Sequence, residues 1–241
     1  LATKLQSRYA AASAVAYVPS KLRNAVETGA PVRRNLRTAD VQALRISARE
    51  SLGISASARV AVVMGGSLGS AVLNTATVHL VQSLRSTEHT CVIHIAGERF
   101  MDAVQLPVTM HHSNGALAYS RIAYSHDMVT LYSAADVVVC RAGASTIAEV
   151  STVGVCAVIV PWKDAAENHQ LVNAKWLTDR GGAVLLEEDA LTAHEFSRLV
   201  TELLRDDDRR IAIAVRAREL GEVHRKSSMA AVIERVAKAR S

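Results

Sequence analysis

The chain has 241 residues, of which 49% are apolar and 4% aromatic, with a mean hydropathy of +0.14 and a formal net charge of +5. This length and composition suffice for a sizeable core of aliphatic side chains, and no apolar run approaches the roughly 18 residues of a membrane-spanning helix. The basic residues are scattered and never form a run of five. The charge balance therefore gives little support for nucleic-acid binding, and we expect no nucleic-acid partner.

The amino-terminal part of the sequence predicts short elements followed by a linker. Residues 1–12 have the pattern of the end of a helix, and residues 14–18 that of a short strand. The stretch 28–33, which contains a glycine and a proline, is predicted to be a linker. Because the sequence begins with Leu1 in the middle of a helical pattern, we expect it to be a piece of a longer protein.

From residue 39 onward, helical and strand patterns alternate. An amphipathic helix over 39–52 has Asp40 as a suitable N-cap and Gly53 as its stop. Further strands are predicted over 59–64, 90–96, 117–123, 136–140, 155–160 and 183–187, and further helices over 70–84, 98–103, 127–134, 145–153, 167–180, 192–205, 207–220 and 226–240. Strands that are almost wholly apolar, each followed by a helix, indicate an α/β fold with a parallel sheet covered on both faces.

The cysteines bear on the redox environment of the protein and on whether it has a metal site. Cys91, Cys140 and Cys156 lie in separate apolar segments. An odd number of cysteines without close spacing suits neither a disulfide framework nor a zinc site. We therefore expect buried, reduced thiols in a cytosolic protein, and no metal site.

Two glycine-rich turns follow two of the predicted strands and are the most informative feature of the sequence. One turn spans residues 65–69 after strand 59–64, and the other spans 141–146 after strand 136–140. A helix that begins after such a turn directs unpaired backbone N–H groups and its positive end at one point. Two such points at the carboxyl ends of strands in one sheet would form a pocket for a diphosphate and an attached sugar. Alternatively, the glycines of the first turn only permit close packing of a strand and a helix.

Glu149 adds to the second turn, because it lies about one helical turn beyond the glycine. A carboxylate there can accept hydrogen bonds from both vicinal hydroxyls of a ribose. The spacing Thr146-x-x-Glu149 also fits a capping box, and spacing alone leaves both interpretations open. A third polar segment, 161–170, either recognises sugar hydroxyls or forms a capped loop in which Asp164 and Glu167 make another capping box.

Taken together, these motifs resemble the MurG family, the UDP-N-acetylglucosamine:lipid-pyrophosphoryl-muramoyl-pentapeptide N-acetylglucosaminyltransferases of peptidoglycan synthesis. The resemblance rests on residues 28–33, on Gly65-Gly66-Ser67 with Leu73-Asn74, on 136–149, on Val160-Pro161, and on 168–170 with Asn173-Ala174. These motifs occur in the family's order and cover the chain from about residue 28 to residue 225.

The resemblance implies an inverting hexosyltransferase of the GT-B type, in which two Rossmann-like domains face each other across a cleft. This chain would supply the donor half for transfer of GlcNAc from UDP-GlcNAc to a lipid-linked muramoyl-pentapeptide, with neither a metal nor a cofactor. The family places the catalytic base and the acceptor site on the other domain. No catalytic residue is therefore assigned to this chain, and the fragment alone is expected to be inactive.

The resemblance also implies a set of substrate-binding residues: Arg33, Gly66, Ser67, Ser125, Ala144, Ser145, Thr146, Glu149, His169 and Gln170. Arg33 and Ser67 would contact the phosphates, and so would Thr146 and the amides around Ala144.

The remaining roles concern the nucleoside and the sugar. Glu149 would bind the ribose hydroxyls, and Gln170 the hydroxyls of GlcNAc, with His169 beside it. A backbone group of Ser125 would contact the uracil.

The same resemblance implies a division of the chain into four parts. Residues 1–27 would be a remnant of an amino-terminal acceptor domain, 28–38 the interdomain linker, 39–224 the UDP-sugar-binding domain, and 225–241 a helix that packs back toward the amino-terminal domain. The acceptor and most membrane contact would belong to the domain that is largely absent here. The full-length protein would be cytoplasmic and peripheral on the inner face of the cell membrane.

Three other classes stay open at this point. An NAD(P)-dependent oxidoreductase of the Rossmann type would need a ribose-binding acid, for which Glu98 is the candidate. Another GT-B enzyme, or an epimerase that acts on UDP-GlcNAc, would share the donor pocket. A non-enzymatic module could retain the donor domain alone. Comparing thermal shifts with UDP-GlcNAc, UDP-glucose, UDP and NAD distinguishes UDP-sugar binding from NAD binding.

Overall fold

The computed structural model describes residues 2–66, 68–84, 89–226 and 228–238. In chain order, strands β1 to β9 span Ser13–Val15, Ala25–Glu27, Arg59–Met64, Thr90–Ile95, Thr109–His111, Leu117–Ile122, Val137–Cys140, Ala157–Ile159 and Val184–Leu185. Helices α1 to α11 span Ala2–Gln6, Arg34–Thr38, Arg45–Ser51, Ala71–Leu84, Met128–Ala134, Ala144–Val153, His169–Thr178, Ala193–Arg205, Asp207–Leu220, Glu222–Lys226 and Met229–Lys238. Short 3₁₀ turns lie at Glu98–Phe100, Ala166–Asn168 and Glu188–Ala190.

Seven strands form the main sheet, in the order β5-β6-β4-β3-β7-β8-β9. β3 lies between β4 and β7 and is parallel to both, so that Val62 pairs with Ile93 on one side and Val138 on the other. The chain first builds outward from β3 to β4 and β6, and then returns to the other side of β3 with β7. The crevice between β3 and β7 is therefore the topological switch point of the sheet.

The side chains of β3 alternate between two cores, one on each face of the sheet. Val60 and Val62 belong to the core under α5, α6 and α7, whereas Ala61 and Val63 belong to the core under α4 and α8. All four residues are fully buried. The nearly continuous apolar sequence of the strand reflects this burial on both faces, as predicted.

The sheet was expected to be wholly parallel, but the strand at one edge is antiparallel. β5 pairs with β6 in the antiparallel direction and was not predicted as a strand. The two strands are joined by a short turn in which Gly115 has φ +82°. A connection this short can join only antiparallel neighbours, because a parallel pair needs a crossover.

Several predicted segments also differ from the structure in their helical content. The helix predicted over 39–52 is an α-helix only over Arg45–Ser51, since Asp40 accepts the N–H groups of Gln42 and Ala43 in a preceding turn. The predicted linker contains the short helix α2. The carboxyl-terminal helix predicted over 226–240 corresponds to α11, Met229–Lys238, and a further helix that was not predicted, α10, spans Glu222–Lys226.

His224 fixes the linker to the main body of the fold. Its Nδ1 accepts the N–H of Ala30 at 2.9 Å, across 194 positions of sequence. Gly29 has φ +72°, and a Cβ atom there would lie 2.6 Å from the carbonyl oxygen of Val223. Burial lowers the pKa of His224 to about 4, so the ring is neutral and can accept this hydrogen bond at neutral pH.

The amino-terminal segment packs on the same region. Strands β1 and β2 form a separate parallel pair, and the Tyr17 ring lies 4.7 Å from that of Trp176 and 5.5 Å from that of His224. A groove of about 370 Å³ separates residues 11–14 from the apolar face of α11. The division of the chain into a domain remnant, a linker, a donor domain and a returning helix stays a prediction. No helix among the described ranges is long and apolar enough to cross a bilayer.

Candidate functional site

The two glycine turns meet at the switch point, as the sequence predicts for turns that follow parallel strands. Both border a cavity of about 590 Å³, a volume within the usual range of ligand sites. Its walls come from residues 65–66 and 68–72, from the second turn, from the segment after β8 and from the 3₁₀ turn at Glu98–Phe100. Of the predicted donor residues, Gly66, Thr146 and Gln170 line this cavity directly.

The first turn contains glycines with two different functions. A Cβ atom on Gly69, which has φ +71°, would lie 2.4 Å from the carbonyl oxygen of Ala96, so this glycine serves close packing. Gly66 has φ +83°, yet a Cβ atom there would meet nothing within 4 Å among the described residues. Gly66 therefore leaves a backbone open to the cavity. Ser67, the residue predicted to contact the phosphates here, lies outside the described residues.

A buried network of neutral side chains supports the first turn from below. Asn74 donates from Nδ2 to the carbonyl of Ala96 at 3.1 Å, and its Oδ1 faces Nε2 of His94 at 2.9 Å. Nδ1 of His94 is 3.0 Å from the hydroxyl of Tyr119. Burial lowers the pKa of His94 to about 4, and Arg121 adds to the shift. The ring is therefore neutral, and Nε2–H donates to Asn74 while Nδ1 accepts from Tyr119.

The second turn leads directly into α6 without a side-chain cap. Gly143 is the N-cap residue, and the first hydrogen bond of the helix joins the N–H of Ile147 to the carbonyl of Gly143 at 3.0 Å. In the described part of the chain, no side chain accepts from the N–H groups of Ala144, Ser145 or Thr146. Thr146 lies inside the helix rather than at its N-cap, so the predicted capping box with Glu149 is not formed. The positive end of α6 is therefore free to bind an anion.

A clamp of polar side chains holds the second turn in place. Oε1 of Gln170 accepts the N–H of Ala142 and the N–H of Trp162, each at 3.1 Å. Asn173 donates to the carbonyl of Ala142 at 3.1 Å. Both backbone polar groups of Ala142 are thus satisfied by α7, and within the described part of the chain the Nε2 group of Gln170 has no hydrogen-bond partner.

Arg141 ties the two turns to each other. Its guanidinium is 2.6 Å from a carboxylate oxygen of Glu188 and donates to the hydroxyl of Ser70 at 2.8 Å. Ser70 lies between the first glycine turn and α4, which begins at Ala71. The sequence gives Arg141 no special role beyond its place in the motif, because its partner Glu188 lies 47 positions away.

Glu149 is the centre of a second polar group. Its Oε1 lies 3.5 Å from a guanidinium nitrogen of Arg33 in the linker, and its Oε2 accepts from the hydroxyl of Tyr132 at 3.1 Å. Burial, with the charge of Glu149, raises the pKa of Tyr132 well above its ordinary value, so the phenol stays protonated and donates. The Glu149 side chain is 18% exposed and that of Arg33 48%. The linker thus contacts the residue that was predicted to bind ribose.

The other predicted residues surround this region without lining the cavity. Ala144 and Ser145 are exposed at the start of α6, and the Ala144 carbonyl accepts from the hydroxyl of Tyr17 at 2.5 Å. His169 is exposed at the start of α7, where its Nδ1 donates to the carbonyl of Ala166 at 2.7 Å. Ser125 lies in the loop after β6, at the same edge of the sheet as both turns.

The capping box predicted for Asp164 and Glu167 is not formed either. Neither the 3₁₀ turn nor α7 has a side-chain cap, and Glu167 adopts φ +52° while pairing with Lys4. The alternative ribose acid, Glu98, is exposed and is not among the residues that line the cavity. Cys91, Cys140 and Cys156 are free and buried, as predicted.

Comparison with known proteins identifies the family. Residues 60–233 match the model of the glycosyltransferase family 28 C-terminal domain. The chain is 34% identical over 239 residues to a UDP-N-acetylglucosamine--N-acetylmuramyl-(pentapeptide) pyrophosphoryl-undecaprenol N-acetylglucosamine transferase from Burkholderia vietnamiensis, and 35% identical over 240 residues to the protein of the same name from Acidothermus cellulolyticus. The alignments cover 98% and 100% of this chain, but only 62% and 64% of those relatives.

Solved structures agree with this assignment. The crystal structure of Acinetobacter baumannii MurG matches 89% of this chain and 57% of that protein, with a TM-score of 0.67 and 28% identity. WaaG, a glycosyltransferase involved in lipopolysaccharide biosynthesis, matches 87% of this chain and 56% of its own with a TM-score of 0.60 at 15% identity, which shows a shared fold. The fold is therefore that of the GT-B glycosyltransferases, and the chain belongs to the family of glycosyltransferase family 28 C-terminal domains.

Proposed function

We propose that this chain is the donor-binding half of an inverting glycosyltransferase that transfers GlcNAc from UDP-GlcNAc to a lipid-linked muramoyl-pentapeptide. The names of the relatives supply the substrates of the proposal. The observation that carries it is the meeting of two glycine turns at the β3–β7 switch point, beside a helix whose N-terminus has no cap. This arrangement suits a ligand with a diphosphate at its centre.

The diphosphate would lie between the two turns. Gly66 leaves open backbone on one side, and α6 begins without a side-chain cap on the other, where Gly143 and Thr146 line the cavity. When the glycosidic bond breaks, negative charge develops on the departing UDP. A preorganised positive helix end stabilises that charge in the transition state without having to reorient.

The nucleoside and the sugar would extend in opposite directions from the phosphates. Glu149 would accept the ribose hydroxyls after Arg33 moves from the carboxylate to a phosphate, a geometry that a guanidinium suits. The Nε2 group of Gln170 would donate to a sugar hydroxyl, since its Oε1 is occupied by two backbone N–H groups. His169 adjoins it, and Ser125 would provide backbone contact to the uracil.

The acceptor half is proposed to lie in the part of the relatives that this chain does not span. An inverting transfer needs a base near the acceptor hydroxyl, and the groups described here all serve the donor. The lipid acceptor, the membrane contact and a cytoplasmic, peripheral location would follow from that other half. We expect the 241-residue chain to bind UDP-GlcNAc without transferring the sugar to a lipid-linked muramoyl acceptor. Adding the amino-terminal half, in cis or in trans, should restore turnover.

Glu149→Ala tests the donor site directly. Hydrogen bonds to a charged group contribute about 1.5–3 kcal/mol, so the variant should bind UDP about ten- to a hundredfold more weakly than wild type in calorimetry. Glu202→Ala, which removes an exposed glutamate from α8, is the matched control and should bind UDP normally. A folded Glu149→Ala protein with wild-type UDP affinity would contradict the ribose assignment.

A further inference from the structure

Trp162 is unusually exposed for so large an apolar side chain. It is 46% exposed, although a tryptophan side chain is normally largely buried in a soluble protein. It lines the same cavity as Gly66, Thr146 and Gln170. By contrast Trp176, the other tryptophan of the chain, is 7% exposed and packs on Tyr17. An exposed aromatic ring in the wall of a ligand cavity points to a binding role.

The backbone that carries Trp162 is held rigidly. Its N–H donates to Oε1 of Gln170 at 3.1 Å, and its carbonyl accepts from the N–H of Ala165 at 3.2 Å. Ala165 is itself buried, with 5% exposure. The indole therefore projects from a turn that is fixed at both ends, which lowers the entropy lost when a ligand binds against it.

Asp164, two positions further on, also lines the cavity. The charged side chains around it have partners: Lys163 pairs with Asp189 at 3.4 Å, and Glu188 pairs with Arg141 at 2.6 Å. Within the described part of the chain, the carboxylate of Asp164 has no ion pair or hydrogen bond. It is therefore available as an acceptor for hydroxyl groups from a ligand.

A pyranose has two kinds of surface that match this pair. One is a face of C–H groups, which packs well on an aromatic ring, and the other is an edge of hydroxyl groups, which donate well to a carboxylate. If the diphosphate lies between the two glycine turns, the sugar is the next group along the ligand and meets the 161–170 segment.

We propose that Trp162 and Asp164 form the sugar-recognition wall of this cavity. The indole stacks on the C–H face of the donor pyranose, and the carboxylate accepts hydrogen bonds from its hydroxyls. The inference rests on the proposed donor site and extends it to two residues that determine which sugar is held. Neither residue contacts the nucleoside, so their contribution appears with UDP-GlcNAc and not with UDP.

Fluorescence provides a direct test of the stacking. Trp176→Phe leaves Trp162 as the only tryptophan of the chain. In that variant, UDP-GlcNAc should change the emission of Trp162, and UDP at saturation should change it much less. Equal changes with both ligands, or no change with either bound, would overturn the assignment of Trp162 to the sugar.

Affinity measurements test both residues. Trp162→Ala should weaken UDP-GlcNAc about three- to tenfold, the effect expected for losing one aromatic contact, and leave UDP within twofold. Trp162→Phe should recover most of the loss, and Asp164→Asn should weaken UDP-GlcNAc while leaving UDP within twofold, because an amide oxygen accepts from a hydroxyl more weakly than a carboxylate does. Tyr9→Ala, at an aromatic residue with 85% exposure, is the matched control.

The outcomes separate this inference from the proposed function. A wild-type chain that binds neither UDP nor UDP-GlcNAc would overturn the donor site and this inference with it. Normal binding of UDP together with unchanged binding of UDP-GlcNAc in Trp162→Ala would overturn the sugar wall alone. In that case the indole serves as a contact for a protein surface or for the acceptor. Equal losses for both ligands would assign Trp162 to the shape of the loop instead.

Discussion

The two ends of the strands in the parallel sheet, called the amino edge and the carboxyl edge, differ in how their polar groups are hydrogen-bonded. At the amino edge, the Asp136 carboxylate accepts the N–H of Val60 at 2.7 Å and pairs with Arg49 at 2.8 Å and with Arg45. Arg49 also donates to the carbonyl of Ala134 at the end of α5. The charged groups are thus bound to one another and to the orphan carbonyls of a helix end.

At the carboxyl edge, the polar groups that face the cavity are left partly open. α6 begins without a cap, Gly66 exposes its backbone, and the carboxylate of Asp164 has no described partner. The groups that do have partners there, such as the backbone N–H and C=O of Ala142 and the guanidinium of Arg141, hold the loops in position. Supporting groups are satisfied and ligand-facing groups are not, which is the expected division in a preorganised site.

The amino edge therefore stabilises the fold, and the carboxyl edge is the proposed ligand site. Because removing one partner leaves a buried charge uncompensated, substitutions at the amino edge should lower stability. Substitutions at the open groups should change binding and leave stability nearly unaffected.

Asp136→Ala should have the largest effect. Removing one partner of a buried ion pair leaves uncompensated charge, which costs about 3–5 kcal/mol, and here Arg49 would lose its carboxylate while buried. Chemical denaturation should show this loss, with UDP affinity unchanged wherever the variant is folded. Asp208→Ala, at an exposed position in α9, should stay within about 0.5 kcal/mol of wild type. Wild-type stability of Asp136→Ala would show that the charged cluster at the amino edge does not stabilise the fold.

The two buried histidines predict a loss of stability in acid. Burial lowers the pKa of both His94 and His224 from 6.5 to about 4. Between these two values the unfolded chain binds protons that the folded chain does not, so stability falls as pH drops from 6.5 toward 4 and is unaffected above 6.5. Each group can contribute up to about 3 kcal/mol over this window.

NMR titration of the ring protons of His94 and His224 checks the cause, and denaturation at several pH values checks the consequence. Ring signals of His94 that titrate near pH 6.5 would show that the network under the first turn is open to water.

Arg33→Ala should have the smallest effect on stability and a selective effect on binding. An ion pair with a half-exposed arginine contributes at most about 1 kcal/mol to folding. If Arg33 moves to the diphosphate, the variant should bind UDP about tenfold more weakly, as loss of one charged hydrogen bond predicts, and uridine normally. Arg34→Ala, at the adjacent exposed position, is the control. Equal losses of UDP and uridine would indicate that Arg33 only positions the linker.

The elements that could be predicted from the sequence are those whose signals are local. β3 and α9 have the predicted bounds, because a run of apolar residues buried on both faces and a helix capped by Asp206 need no distant information. The glycine turns were found for the same reason, since they combine a strand end, a glycine and a helix start within a few residues.

Tertiary structure decided what depends on residues far apart in the chain. The contacts that hold the second turn come from Gln170 and Asn173, which bind the backbone of Ala142 from 28 and 31 positions away. The partners of Arg141 and of His224 lie 47 and 194 positions away in the sequence, and a local hydrophobic pattern does not predict contacts at such separations. Local pattern fixes which segments become strands and helices, whereas the contacts that close a site form only when the topology brings remote segments together.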